Sequence, residues 1–267
     1  MSIKARHRPA ATQDPTRRET RARDALLIAL TVSTGAVDAI SFLGLGKVFS
    51  AFMTGNLAFL GFIPAGAPGP SLSQVVAAMT AFAIGAAAAG RLVRPTTDRN
   101  VVWPLRVTIA LAISLEAEAA FLGVWTEFGA HPSGPVGAVL ISLLAFAMGL
   151  QTAAIASLGV RGVFTTAATA TLMFLMGDLA GWKPSRSERL RLAAVVVGLV
   201  AGATIGALLM TRAPAWAPLF PVSVTMLVVG AAALCFRDDA YHGFGRADPR
   251  NALLPTGAAS TRRPGRS

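Results

Sequence analysis

Three groups of residues in this sequence could do chemistry. Asp38 lies in GAVDAIS, midway along an otherwise apolar run. A carboxylate at that depth in a bilayer costs at least about 2.5–3.5 kcal/mol on insertion scales, so such a residue is usually paired or functional. As a structural group it would partner a cation such as Lys47 or Arg161, or nearby hydroxyls. As a functional group it would carry a coupling charge. Met53-Thr54-Gly55-Asn56 is the second group, placing a hydroxyl, a glycine and a primary amide in a short apolar run. An amide both donates and accepts, which suits either a solute site or a clamp between helices. Glu116 and Glu118 are the third, near the centre of another apolar run. Two positions apart on a helix is about 200°, so the two cannot share a face, and at most one can point into a given cavity.

Other chemistries lack their residues. His7, His131 and His242 fall in tails or loops, so no metal ligand set or His-based catalytic group is expected within a membrane. Gly44, Gly46 and Lys47 suggest a phosphate loop, but Ser41 stands where glycine is required and Val48 where Ser or Thr is required. The single cysteine, Cys235, excludes a disulfide scaffold and reads as packing. Neither an enzyme nor a cofactor is implied.

The elements that must position these residues are membrane spans. The chain has 267 residues, 54% hydrophobic and 14% charged, where a soluble domain carries about 25% charged residues. Its mean hydropathy is +0.58. Six runs reach the roughly 20 residues that a spanning helix needs, at about 25–46, 72–93, 103–125, 135–159, 190–212 and 216–236. Two shorter runs, 48–63 and 163–179, each follow a full span after a Gly-rich break. The net charge of +11 sits mostly in the two tails and two short loops. No basic stripe interleaved with aromatics marks a nucleic-acid surface. Counting Lys and Arg per loop puts 91–106, 183–191 and both termini on the cytoplasmic side, and 64–71 and 126–134 outside. That pattern fits six crossings if neither short run crosses. Lys47 is an exception, a cation on the outer side, and the turn near 213–215 carries only Arg212. Asp178 reads as a balance for Lys183 or Arg186. Trp103, Trp125, Trp182 and Trp216 fall at span ends, where indoles favour headgroups. The expected organisation is a basic cytoplasmic tail at 1–24, a membrane repeat at 25–125, an external loop at 126–134, a second membrane repeat at 135–236 and a basic, flexible tail at 237–267.

The two membrane halves resemble each other. AVDAISFLGLGKVFSAFMTGNLAFLG is echoed by GLQTAAIASLGVRGVFTTAATATLMFLMG about 115 residues later, and Ala81, Gly85 and Ala89 align with Gly198, Gly202 and Gly206. Three crossings per repeat is an odd number, so the second copy enters the membrane from the opposite side. Inverted repeats of this kind are common in secondary transporters, with solute sites near the midplane beside broken or short helices.

GAVDAISFLGLGKVFSAFMTGN, followed by AFAMGLQTAAIASLG, resembles the YoaK-like family of bacterial integral membrane proteins, also described as domain of unknown function 1275. The resemblance runs from about Leu26 to Phe236. It implies a bacterial cytoplasmic-membrane protein with about six helices and no established substrate. Asp38, Thr54, Gly55, Asn56, Gly149 and Gln151 match the family's pattern.

The expected fold is all-α: six transmembrane helices in two inverted three-helix repeats, plus two short intramembrane helices. The expected function is secondary transport of a small solute. Asp38, Thr54, Gly55, Asn56, Gln151, Thr152 and Thr169 would line the site, and Asp38, Glu116 or Glu118 would couple protons. The alternative is a non-transporting subunit or sensor that docks a partner through its tails. The partners expected are the lipid bilayer and one unidentified small solute, with no nucleic acid. The sequence does not fix an oligomeric state.

Overall fold

A computed structural model describes residues 17–62, 64–93, 101–129, 132, 134–160 and 185–237. Every regular element among them is helical. They are α1 (Arg17–Gly44), α2 (Met53–Phe62), α3 (Leu72–Leu92), α4 (Leu105–Phe128), α5 (Gly134–Ala156), α6 (Arg186–Arg212) and α7 (Leu219–Cys235), with a 3-10 turn at Pro214–Trp216. Among the described residues six helices are long and apolar enough to cross a membrane, the last counted together with its 3-10 turn. The short run 163–179, with Thr169, Asp178 and Trp182 in or near it, lies outside the described residues, as does Arg161.

Local chemistry sets the helix ends. Gly46 at φ 83° and Lys47 at φ 64° terminate α1 in left-handed backbone, with the Lys47 N–H donating to the Phe42 carbonyl at 3.0 Å. Gly129 at φ 74° closes α4. Ser71 caps α3, and Ser185 with Glu188 forms a capping box on α6. α1 begins at Arg17, eight residues before the apolar run expected at 25. Hydropathy marks where lipid begins, whereas charged residues continue the helix into water, and Asp24 ties that extension to Arg191 of α6 at 3.4 Å.

The long helices alternate in direction. At one end, where α1, α4 and α6 finish, Gly44 lies against Trp125 and Met210, and the Trp125 indole donates to the Pro214 carbonyl at 3.1 Å. At the other end Trp103 stacks on Phe236 with ring centroids 5.6 Å apart. These will be called the Trp125 end and the Trp103 end. α1 finishes and α3 starts at the Trp125 end, so α2 makes no net crossing. Both tryptophans depart from the expected headgroup belt. Each is fully buried and closes one of the two apolar clusters. Their N–H groups find partners inside the bundle, Pro214 for Trp125 and the Thr108 hydroxyl for Trp103, which removes the reason to face headgroups. Trp216, 64% exposed, does face outward.

Two crossings bring backbones into direct contact. A Cβ on Gly35 of α1 would strike the backbone of Leu199 and Ala203 in α6, and one on Gly202 would strike Val32. A Cβ on Gly149 of α5 would strike Phe82 and Ala86 in α3, and one on Gly85 would strike Phe146 and Leu150. Gly35 thus plays the part of Gly149, Gly202 that of Gly85, Val32 that of Phe146, and Leu199 that of Phe82. Between apolar helices in lipid, association depends on such close packing, because lipid tails are as apolar as leucine.

Candidate functional site

The distribution of polarity is reversed from that of a water-soluble protein. Val197, Val200, Leu227 and Leu234 are 61–77% exposed on the outer faces. Ser33, Thr34, Ser114, Glu118, Gln151 and Thr225 are buried at 0–1% inside. They come from α1, α4, α5 and α7 and meet near the middle of the bundle. The Thr225 hydroxyl donates to Glu118 Oε1 at 3.2 Å and lies 3.3 Å from the Ser33 hydroxyl. Ser33 also donates to the Pro221 carbonyl. On the neighbouring residue of α1, the Thr34 hydroxyl accepts from Gln151 Nε2 at 2.9 Å. Ser114 donates to the Ala147 carbonyl at 2.9 Å, joining α4 to α5. Two oxygens in this layer, Glu118 Oε2 and Gln151 Oε1, are buried and meet no donor among the described residues.

A second polar cluster sits one helical turn further along α1. Asp38 Oδ1 accepts from the backbone N–H groups of Ser50, Ala51 and Phe52 at 3.1, 2.8 and 3.4 Å, and from the Ser50 hydroxyl at 3.4 Å. Asp38 precedes the end of α1 by six residues, about 9 Å of helix. The 50–52 segment therefore dips back along α1 before α2 starts. Non-helical backbone at such depth is tolerated only where protein satisfies its polar groups. Three successive N–H groups turned on one carboxylate oxygen do this, forming an anion nest at the start of α2. Asn56 completes the hairpin. Its Oδ1 accepts from the Phe49 N–H at 3.0 Å, and its Nδ2 donates to the Phe49 carbonyl at 2.7 Å. Gly55 leaves room for the Phe49 and Phe52 rings, where a Cβ would come within 3.0 Å of both.

The residues singled out from the sequence thus divide. Asp38 and Asn56 hold the hairpin, and Gly55 lets it close. The partners of Asp38 are hydroxyl and backbone groups rather than Lys47. Thr54 is on the exposed face of α2. Gln151 and Glu118 join the mid-bundle layer. Thr152 is half-buried, and its hydroxyl donates to the Met148 carbonyl at 2.6 Å. Glu116 is exposed while Glu118 is buried, as their 200° separation requires. Thr169 is outside the described residues. Thr31, Thr34, Asp38 and Ser41 form one stripe on α1 at spacings of three and four, and Ser50 Oγ lies 3.3 Å from Ser41 Oγ. This stripe links the mid-bundle layer to the α2 hairpin. Ser33, Thr34, Ser114 and Thr225 were not singled out from the sequence. A hydroxyl in an apolar helix commonly bonds to its own backbone, as Thr31 does to the Leu27 carbonyl, so its type alone carries no address.

The chain is similar to UPF0700 transmembrane protein YoaK of Bacillus subtilis (strain 168), with 35% identity over 159 residues, 60% of this chain and 68% of that protein. No solved structure matches it. Residues 26–231 match the family described as protein of unknown function (DUF1275), a stretch that takes in both polar clusters, four of the six long apolar helices whole and most of the first and last. With its membrane-spanning helices and this match over most of its length, the chain belongs to the DUF1275 family of multi-pass membrane proteins.

Proposed function

We propose that this protein is a secondary transporter for a small solute, built from two inverted three-helix repeats, with its site in the mid-bundle polar layer. The observation that carries the reading is the pair of buried oxygens, Glu118 Oε2 and Gln151 Oε1, left without donors among the described residues in an apolar bundle. Buried polar atoms without partners are rare, and ionisable groups in spanning helices commonly mark solute or proton pathways. Either oxygen would accept from a solute's hydrogen-bond donor. The equivalent crossings of α1 with α6 and α3 with α5 support the repeat. The α2 hairpin, returning to the end from which it came, supports a re-entrant element beside the site. In this reading Glu118 is the proton-coupling residue, Asp38 a second candidate for that role, and Gln151 and Thr34 bind solute. Glu116, on the outer face, takes no part in coupling.

The test is transport by the full chain in proteoliposomes holding a pH-sensitive dye. A panel of small solutes is added outside, with and without an imposed pH gradient. One solute is expected to drive proton movement. Glu118→Gln, shown to fold by its unfolding curve, is expected to lower that movement at least about tenfold, because the amide cannot release a proton. Proton-coupled uptake undiminished in Glu118→Gln would remove the coupling role. No movement of any solute by a well-folded sample would overturn the transport reading. It would favour partner docking through the basic tails, of which residues 1–16 and 238–267 lie outside the described residues.

We further propose a bacterial inner-membrane location, with both termini in the cytoplasm and the Trp125 end outward. The Lys and Arg distribution between loops supports this. In a Cys235→Ser background, a cysteine at Ala65 is expected to react with an impermeant thiol reagent applied to intact cells, and one at Ser185 only after lysis. The reverse pattern would invert the molecule.

A further inference from the structure

A cavity of about 770 Å³ opens at the Trp125 end, between the end of α1 and the starts of α3 and α5. Its polar lining among the described residues is Lys47, Ser71, Ser73 and Gln74, set against an apolar wall that includes Phe42 and Pro135, and no acidic side chain among them lines it. Lys47 reaches this position through the left-handed turn that ends α1, a conformation uncommon outside glycine. Gln74 is held by three neighbours. Its Oε1 accepts from the Ser71 hydroxyl at 2.9 Å, and its amide fits between Gly46 and Gly137, where a Cβ on either would come within 2.6–3.1 Å of it. With Oε1 engaged, Gln74 Nε2 is left as a donor beside the start of α5. Lys47 contributes three N–H donors and a full charge. α3 and α5 both begin at this cavity, adding the positive ends of two long helices.

We propose that this cavity is an anion-binding vestibule, in which Lys47 and Gln74 take the carboxylate or phosphate oxyanion of a small molecule while the apolar wall holds its carbon frame. Charge, donors and helix dipoles all have one sign here, and among the described residues no carboxylate competes for the ammonium. The inference goes beyond the transport reading and stands without it, since binding at the vestibule requires no crossing. A free organic anion and an anionic lipid headgroup present the same oxyanion chemistry.

The experiment measures thermal unfolding of the full chain in neutral phosphatidylcholine nanodiscs. Inorganic phosphate and succinate are titrated at constant ionic strength against chloride, with glycerol as the uncharged control. A second arm replaces part of the lipid with phosphatidylglycerol. Stabilisation by phosphate or succinate is expected, with apparent affinity at least about tenfold weaker in Lys47→Gln, since a hydrogen bond to a charged group is worth more than a decade in affinity. Lys47→Asn repeats the test with a residue well suited to left-handed backbone, separating loss of charge from loss of fold. Lys47-dependent stabilisation confined to the phosphatidylglycerol arm would identify a lipid headgroup as the oxyanion and still support the site. Stabilisation equal in chloride, undiminished from the parent in both variants, or absent from both arms would overturn it.

Discussion

Asp38→Ala is expected to unravel the α2 hairpin and to destabilise the protein by about 3–5 kcal/mol. The substitution removes the acceptor shared by the Ser50, Ala51 and Phe52 N–H groups. Each donor left buried without a partner costs about 1–3 kcal/mol, and water that could compensate is scarce at this depth. Unfolding in detergent, together with thiol accessibility of a cysteine placed at Ser50, reads both effects. Asp38→Asn keeps an acceptor oxygen at the same position and is expected to lose less than half as much stability. The pair separates two roles that the position allows. If Asp38→Asn folds and still moves protons with solute, Asp38 acts through the hairpin alone and coupling rests with Glu118. An unchanged unfolding midpoint in Asp38→Ala would show that the hairpin does not depend on this carboxylate.

The second large effect is expected at the glycine crossings. In Gly149→Ala the new methyl would occupy the space of the Phe82 carbonyl, and in Gly35→Ala that of Leu199. Neither neighbour is the movable end of a side chain, so the helices must separate. Overpacking of this kind costs about 1–3 kcal/mol, occasionally more. The two substitutions are expected to cost similar amounts, because they occupy corresponding points in the two halves, and leucine at either position is expected to abolish folding. Gly123→Ala and Gly230→Ala supply the contrast. Nothing lies within 4 Å of a Cβ at either, and both are inside helices. There alanine is expected to stabilise by about 0.5–1 kcal/mol through the reduced freedom of the unfolded chain. Apparent stability in a detergent titration checks all four. A large loss at Gly149 with none at Gly35 would break the correspondence between the halves.

Much of this was legible in the sequence because membrane solvation is a one-dimensional constraint. A run of about 20 apolar residues must be a helix in lipid, where the backbone has no water to bond with, so composition along the chain suffices to find spans. The small-residue stripes were legible for a similar reason. Gly85 and Gly202 stood out at four-residue spacing, and both proved to sit where backbones touch. The extension of α1 to Arg17 was not legible, because hydropathy reports the solvent of a helix rather than its length.

Site chemistry was legible only by residue type. Asp38 and Asn56 were conspicuous as polar groups in apolar runs, yet nothing in one dimension says that their partners are the backbone of residues 49–52. Glu116 and Glu118 look alike in sequence. Helical phase parts them, but only the packing of α4 against α5 and α7 decides that Glu118 is the buried one. Ser33, Ser114 and Thr225 are ordinary hydroxyls until three helices bring them to one level. The sequence by itself determined the solvent, the spans, the places where helices approach closely and the residue types that are costly in lipid. The tertiary structure decided which of those costly groups face each other, since helix rotation and the path of the α2 hairpin are set by contacts between residues far apart in the chain. Burial then leaves two of their oxygens without a donor among the described residues.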